Sequence, residues 1–109
     1  MDTELIKGTL SLIILTLLKR KPMYGYEILM TVKNETDSAF EWKAGSLYPS
    51  LHKLEKDGLV CAEWQGTPGS RRRKFYNITK AGEKILSGKI DSWQQISVSI
   101  NKILEKSDE

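Results

Sequence analysis

The sequence offers little with which to build a covalent or metal-held framework: among 109 residues there is one cysteine, one histidine and three prolines. Cys61 has no intramolecular partner, so neither a disulfide scaffold nor an oxidising compartment is implied, and the expected location is the cytoplasm. One Cys and one His cannot supply the ligand set of a structural zinc, so no metal and no cofactor is expected. No glycine-rich phosphate loop is present, and His52 has no acid or nucleophile placed beside it, which leaves no basis for an enzyme. Long apolar runs are missing too. The nearest approach, Leu10 to Leu18 broken by Ser11 and Thr16, is too short to span a bilayer, and its basic residues follow rather than precede it, so neither a membrane partner nor a signal peptide is expected.

Net charge is also modest, at +3, but it is unevenly spread. From Lys43 to Lys80 there are eight Lys or Arg against three acids, a local excess of five, so the flanks together are slightly acidic. A cationic surface confined to one third of a small domain is the pattern expected of a nucleic-acid face.

What the chain does have is an uninterrupted series from Gly45 to Thr79. Leu47, Leu51 and Leu54 at i, i+4 and i+7 predict a helix with one apolar stripe, and Gly58 is its natural stop. Pro49 is expected within the first turn, where its missing N–H has no acceptor to lose. The opposite face carries Ser46, Tyr48, Ser50, His52, Lys53 and Lys56, side chains that suit a groove lined by phosphates and base edges. A merely solvated polar face is the alternative at this point. Leu59 to Trp64 then predicts a strand, with Cys61 as a small core residue, and Arg73 to Thr79 its returning partner. Gln65 to Ser70 is turn-forming. The return begins Arg71, Arg72, Arg73, Lys74, four adjacent cations that repel one another unless an anion lies near, and a phosphodiester backbone would supply it. A charged edge that blocks aggregation is the competing explanation.

Upstream, Asp2 to Lys19 predicts one apolar helix, closed by Lys19-Arg20-Lys21-Pro22, and a second helix starts near Met23 or Tyr24. Gly25 is expected to allow close packing, with Phe40 and Trp42 capping the core. Downstream, Leu86, Ile90, Trp93, Ser97, Ile100 and Leu104 recur at spacings of four and three, a coiled-coil seam that Ile96 and Ile103 widen. A small domain has little core with which to cover so broad a face, which points to self-association about a two-fold axis; packing on the chain's own first helix is the alternative, and the expectation is both at once, the first and last helices of one subunit forming a mixed interface with those of the other. The expected fold is mainly α, a winged helix-turn-helix of α+β type. Three helices and a two-stranded β-wing occupy residues 1–79, and a dimerisation helix occupies 80–109 of the same compact unit.

Tyr24-Gly25-Tyr26-Glu27-Ile28, Gly45-Ser46-Leu47-Tyr48-Pro49 with Leu51, Leu54, Glu55, Gly58 and Leu59, and Arg71, Arg73-Lys74-Phe75-Tyr76, Thr79 and Gly82 together resemble the PadR family of bacterial transcriptional regulators. The length resembles its short PadR-like subfamily. The resemblance implies a homodimer that binds a palindromic operator in double-stranded DNA and usually represses. It implies that Tyr24, Ser46, Tyr48, Pro49, His52 and Lys53 lie at the groove, that Lys7 approaches the backbone, and that Arg71, Arg72, Arg73 and Lys74 form the wing. Arg72 stands where the family commonly has proline, which adds charge and removes rigidity. Some members release DNA on binding a small aromatic or lipophilic compound. Here Leu86, Ile90, Trp93, Ile96, Ile100 and Leu104 would form the interface, with two Trp93 indoles near the axis either stacking a planar aromatic effector or simply filling the interface core. A winged domain used only for protein–protein contact is the competing function.

Overall fold

The computed structural model describes residues 2–67 and 69–108; Pro68, within the expected turn, lies outside them. Its elements run α1 (Thr3–Lys7), α2 (Leu10–Arg20), β1 (Met23–Tyr24), α3 (Gly25–Glu35), α4 (Ala44–Lys56), β2 (Val60–Gln65), β3 (Arg73–Ile78) and α5 (Lys80–Ser107). The expected single first helix is therefore two. The Asp2 carboxylate caps α1 by accepting from the Glu4 amide at 2.9 Å, and the chain then turns at Gly8 and Thr9. Glycine and a β-branched residue in succession are poor helix formers, and the Thr9 hydroxyl closes the turn on the Ile6 carbonyl at 2.7 Å.

The second departure is β1. Pro22 disfavours helical backbone at the residue before it, and Lys21 is extended, with φ −170° and ψ 161°. The chain enters Met23 and Tyr24 in that conformation and pairs with β3, Met23 opposite Tyr76 and Tyr24 opposite Phe75. The sheet is thus three-stranded and antiparallel in the order β1-β3-β2, not a two-stranded wing, and α3 begins only at Gly25.

In α4 the leucine stripe is as expected: Leu47, Leu51 and Leu54 are buried in a core shared with Ile14, Leu15, Leu18, Met23, Ile28, Val32, Val60, Tyr76 and Leu86. Phe40 and Trp42 pack on its margin. Burying a leucine contributes about 1.5–3 kcal/mol, so this stripe dominates the placement of α4. Pro49, however, lies in the second turn, because α4 starts at Ala44. The helix continues past it since the carbonyl left without an amide donor belongs to exposed Gly45, open to water. At the other end the Gly58 amide donates to the Glu55 carbonyl (3.0 Å) and the Leu59 amide to that of Leu54 (2.9 Å), a Schellman closure. Its left-handed residue is Gly58, with φ 75°.

Thr79 joins the end of α4 to the start of α5. Its hydroxyl donates to the Gly58 carbonyl at 2.7 Å and accepts from the Gly82 amide at 3.0 Å, capping α5. Only the first turns of α5 enter the core, through Gly82 and Leu86. Leu86 therefore belongs to the chain's own interior and not to an interface. Ile90 is half-buried, whereas Trp93, Ile96, Ile100, Ile103 and Leu104 are exposed. Cys61 also differs from expectation: it is exposed, because strand alternation sends Val60 inward and Cys61 outward.

Candidate nucleic-acid interface

The structure divides the expected DNA-contacting residues between two sides of α4. On the wing side, an open cleft of about 700 Å³ is lined by Tyr24, Gly25, Tyr26, Tyr48, His52, Trp64, Arg71, Arg72, Arg73, Lys74 and Tyr76. On the other side, a hollow of about 600 Å³ gathers Ile6, Lys7, Leu10, Glu41, Trp42, Lys43, Gly45, Ser46, Pro49 and Ser50. Helical spacing explains the split, since Tyr48, His52 and Glu55 share one flank of α4 while Ser46, Pro49 and Ser50 share the other. Lys53 lines neither; it projects into solvent beside Asp57, 3.8 Å away.

Tyr48 is held by a close approach. A Cβ on Gly25 would come within 2.2 Å of the Tyr48 hydroxyl, so glycine at the first position of α3 makes room for the tyrosine of α4. The sequence expectation that Gly25 permits close packing thus has a definite partner. Tyr24, on β1, meets Phe75 edge to face at 5.3 Å.

The cations of the wing do not simply repel one another. Strand β3 begins at Arg73, so Arg71 and Arg72 belong to the loop and Arg73 and Lys74 to the sheet. The Arg72 guanidinium lies 5.9 Å from the ring centre of Trp64, Arg73 lies 4.5 Å from that of Tyr24, and Lys74 Nζ lies 5.4 Å from that of Tyr76. Such contacts stabilise by about 0.5–1 kcal/mol each at exposed sites and orient the charge. Lys74 also reaches Glu55 at 3.5 Å, while Arg71 has no ion-pair or ring partner among the described residues. Burial pushes the Tyr76 phenol up from its ordinary value, opposed by the nearby Lys74 ammonium.

Sequence reasoning missed Trp64, Tyr26 and Lys43 as lining residues. Trp64 was detectable: it continues the inward alternation Val60, Ala62, Trp64 one step beyond the core, where its ring is 60% exposed and available to Arg72. No group of His, Cys, Asp or Glu among the described residues has the arrangement of a metal site.

A third hollow, of about 360 Å³, lies between α2, α3 and α5. Leu12, Ile13, Leu17, Val32, Phe40, Ile90 and Trp93 line it, with Arg20 and Glu35 at the rim. The Arg20 guanidinium donates to the Glu35 carboxylate and holds it below the usual carboxylate range.

A helical core with a three-stranded sheet, a hairpin wing and a solvent-facing helix between two cation-bearing hollows defines a winged helix-turn-helix domain. The model of the transcriptional regulator PadR-like family matches residues 14–88, and the chain belongs to that family. A transcriptional regulator from Clostridium thermocellum superposes with a TM-score of 0.87 at 32% identity, over 94% of this chain and 96% of that one. A PadR family regulator from Eggerthella lenta gives 0.82 at 34% identity, over 94% and 88%. An uncharacterized protein X of Lysinibacillus sphaericus is 33% identical over 94% of both chains, and the Mycobacterium tuberculosis transcriptional regulator Rv3488 is 46% identical over 39% of both. The chain is accordingly a transcriptional regulator, and none of its described helices is long and apolar enough to cross a membrane.

Proposed function

We propose that the chain acts as a homodimer that binds a palindromic operator in double-stranded DNA and represses. The observation that carries this reading is the position of α4, with one cation-bearing hollow on each side. Lowered into a major groove, α4 would present Tyr48, His52 and Lys53 to base edges. The same pose would bring Lys7, Lys43 and Ser46 toward one phosphate strand, and Arg71, Arg72 and Arg73 toward the other. The exposed apolar residues of α5 support the dimer: Trp93, Ile96, Ile100 and Leu104 are each about half exposed in the single chain. The apolar hollow beside Trp93 supports release by a planar aromatic or lipophilic effector.

The test is a fluorescence-anisotropy titration against the duplex immediately upstream of the chain's own gene, at low and moderate salt, with an unrelated duplex as competitor. Binding that weakens steeply with salt and survives the competitor is expected. No binding even at low salt would overturn the proposal and favour a winged module for protein contact. A panel of planar dyes added to a variant whose sole tryptophan is Trp93 tests the effector: quenching supports it, and unchanged emission refutes it.

A further inference from the structure

The wing carries four consecutive cations, and only three of them are presented outward. Arg71, Arg72 and Arg73 are exposed, and the rings under Arg72 and Arg73 support the flat guanidinium while leaving its edge free to donate. Lys74 also has a ring partner but differs in exposure and in having an acid beside it. Its side chain is 31% exposed, and Nζ is 3.5 Å from Glu55 Oε1 and 5.4 Å from the Tyr76 ring centre. Lys74 and Tyr76 are two residues apart on one face of β3, and Trp64 lies directly across from Lys74 on the same face. Glu55 belongs to the flank of α4 that also bears Tyr48 and His52.

We infer that Lys74 is a positioning residue and not a phosphate ligand: held over Tyr76 on its own strand, it fixes the wing to α4 through Glu55, setting the distance between the groove-facing helix and the three arginines. This rests on the reading of α4 and the wing as a DNA surface. The electrostatic reason is direct. An ammonium already beside a carboxylate offers an approaching phosphate little net charge, because the attraction of Lys74 is opposed by the repulsion of Glu55 at nearly the same distance. The pair joins the loop end of the hairpin to α4, so it controls angle instead of adding grip. Among the described residues no carboxylate pairs with Arg71, Arg72 or Arg73.

The experiment measures binding of the full chain to the upstream duplex and to a random duplex across a salt series, for wild type, R71A, K74M, E55Q and the exchanged pair K74E/E55K. R71A is expected to lower the slope of log K against log salt by about 0.9, as one lost phosphate contact does. K74M and E55Q are expected to leave the slope on random DNA unchanged while lowering the preference for the upstream duplex about tenfold, the scale of one mismatched base pair. The exchanged pair is expected to recover that preference. A slope loss in K74M equal to that of R71A would overturn the inference by making Lys74 a phosphate ligand, and so would a K74M chain that matches wild type throughout. Amide hydrogen exchange supplies a reading that needs no DNA: K74M is expected to accelerate exchange in β2 and β3 but not in α5. If wild type binds no duplex, the proposed function fails, and this exchange pattern alone decides whether Lys74 fixes the wing. Uniformly faster exchange in K74M would report general destabilisation and count against the inference; the conservative K74R, which keeps the ion pair, is expected to exchange as wild type.

Discussion

The wing and the distal half of α5 both project from the core, yet they are finished to different degrees. In the wing, Arg72, Arg73 and Lys74 each find a ring within the same chain, and Lys74 finds an acid as well. In α5 beyond Ile90 the apolar residues are left largely open to solvent: Trp93, at the edge of the hollow, is 51% exposed and Ile103 66%. A charged segment keeps its shape by using partners it carries, whereas an apolar one of similar exposure requires a surface from elsewhere. The wing is organised before it meets anything, whereas α5 leaves open the apolar face that the proposed dimer would cover.

The largest effect that would break this comparison comes from charging the α5 face. Replacing Ile96, Ile100 and Leu104 with Glu is expected to convert a dimer to monomer in sedimentation equilibrium and lower DNA affinity more than a hundredfold, with the far-ultraviolet dichroism per helix retained. A variant that stays at the mass of wild type would show that α5 needs no partner. Next, Arg71, Arg72 and Arg73 changed together to Ala should weaken binding to every duplex alike and reduce the salt slope by about 2.7, three phosphates at about 0.9 each. An unchanged slope would leave the wing's charge without a role. A smaller effect sharpens the point about preorganisation. Trp64→Ala removes the ring beneath Arg72 without removing charge, so the slope should hold while affinity drops about two- to fivefold, in line with an exposed cation–π contact. The smallest concerns the rim of the α2–α3 hollow. Because Arg20 holds the Glu35 carboxyl below its ordinary value, the pair stabilises the fold above the usual carboxylate range, and that contribution disappears as pH falls through the lowered value. Glu35→Gln should therefore melt slightly below wild type at neutral pH and coincide with it in acid. A difference that persists at low pH would assign the effect to packing.

Much of this architecture can be read from residue order, and the exceptions have physical causes. The leucines of α4, the Gly58 stop and the hairpin follow from spacing and backbone freedom, which are local properties. Strand β1 is two residues long, too short to display a period, and it exists because Pro22 straightens the chain beside an edge of β3 supplied fifty residues later. Cys61 lies within an apolar stretch, where alternation is masked because both faces read as hydrophobic. The candidate surface was legible as a set of residue types but not as a geometry. Four adjacent cations announce positive charge, but their partners, Trp64, Tyr24, Tyr76 and Glu55, come from other elements, and no local pattern says that Lys74 turns inward while Arg71 does not. The separation of Ser46 from Tyr48 and His52 by the body of α4 follows from helical spacing, but that Lys7 joins Ser46 on one side and the wing joins Tyr48 on the other required the tertiary fold.

The double hydrogen bond of Thr79 has a mechanical meaning. Because one hydroxyl holds the Gly58 carbonyl just past the end of α4 and opens α5, the two helices are tied together at that residue. At 1.5 Å per residue the arms measure about 20 Å for α4 and about 42 Å for α5. Turning the two together about that joint would carry the far tip of α5 about twice as far as Ala44.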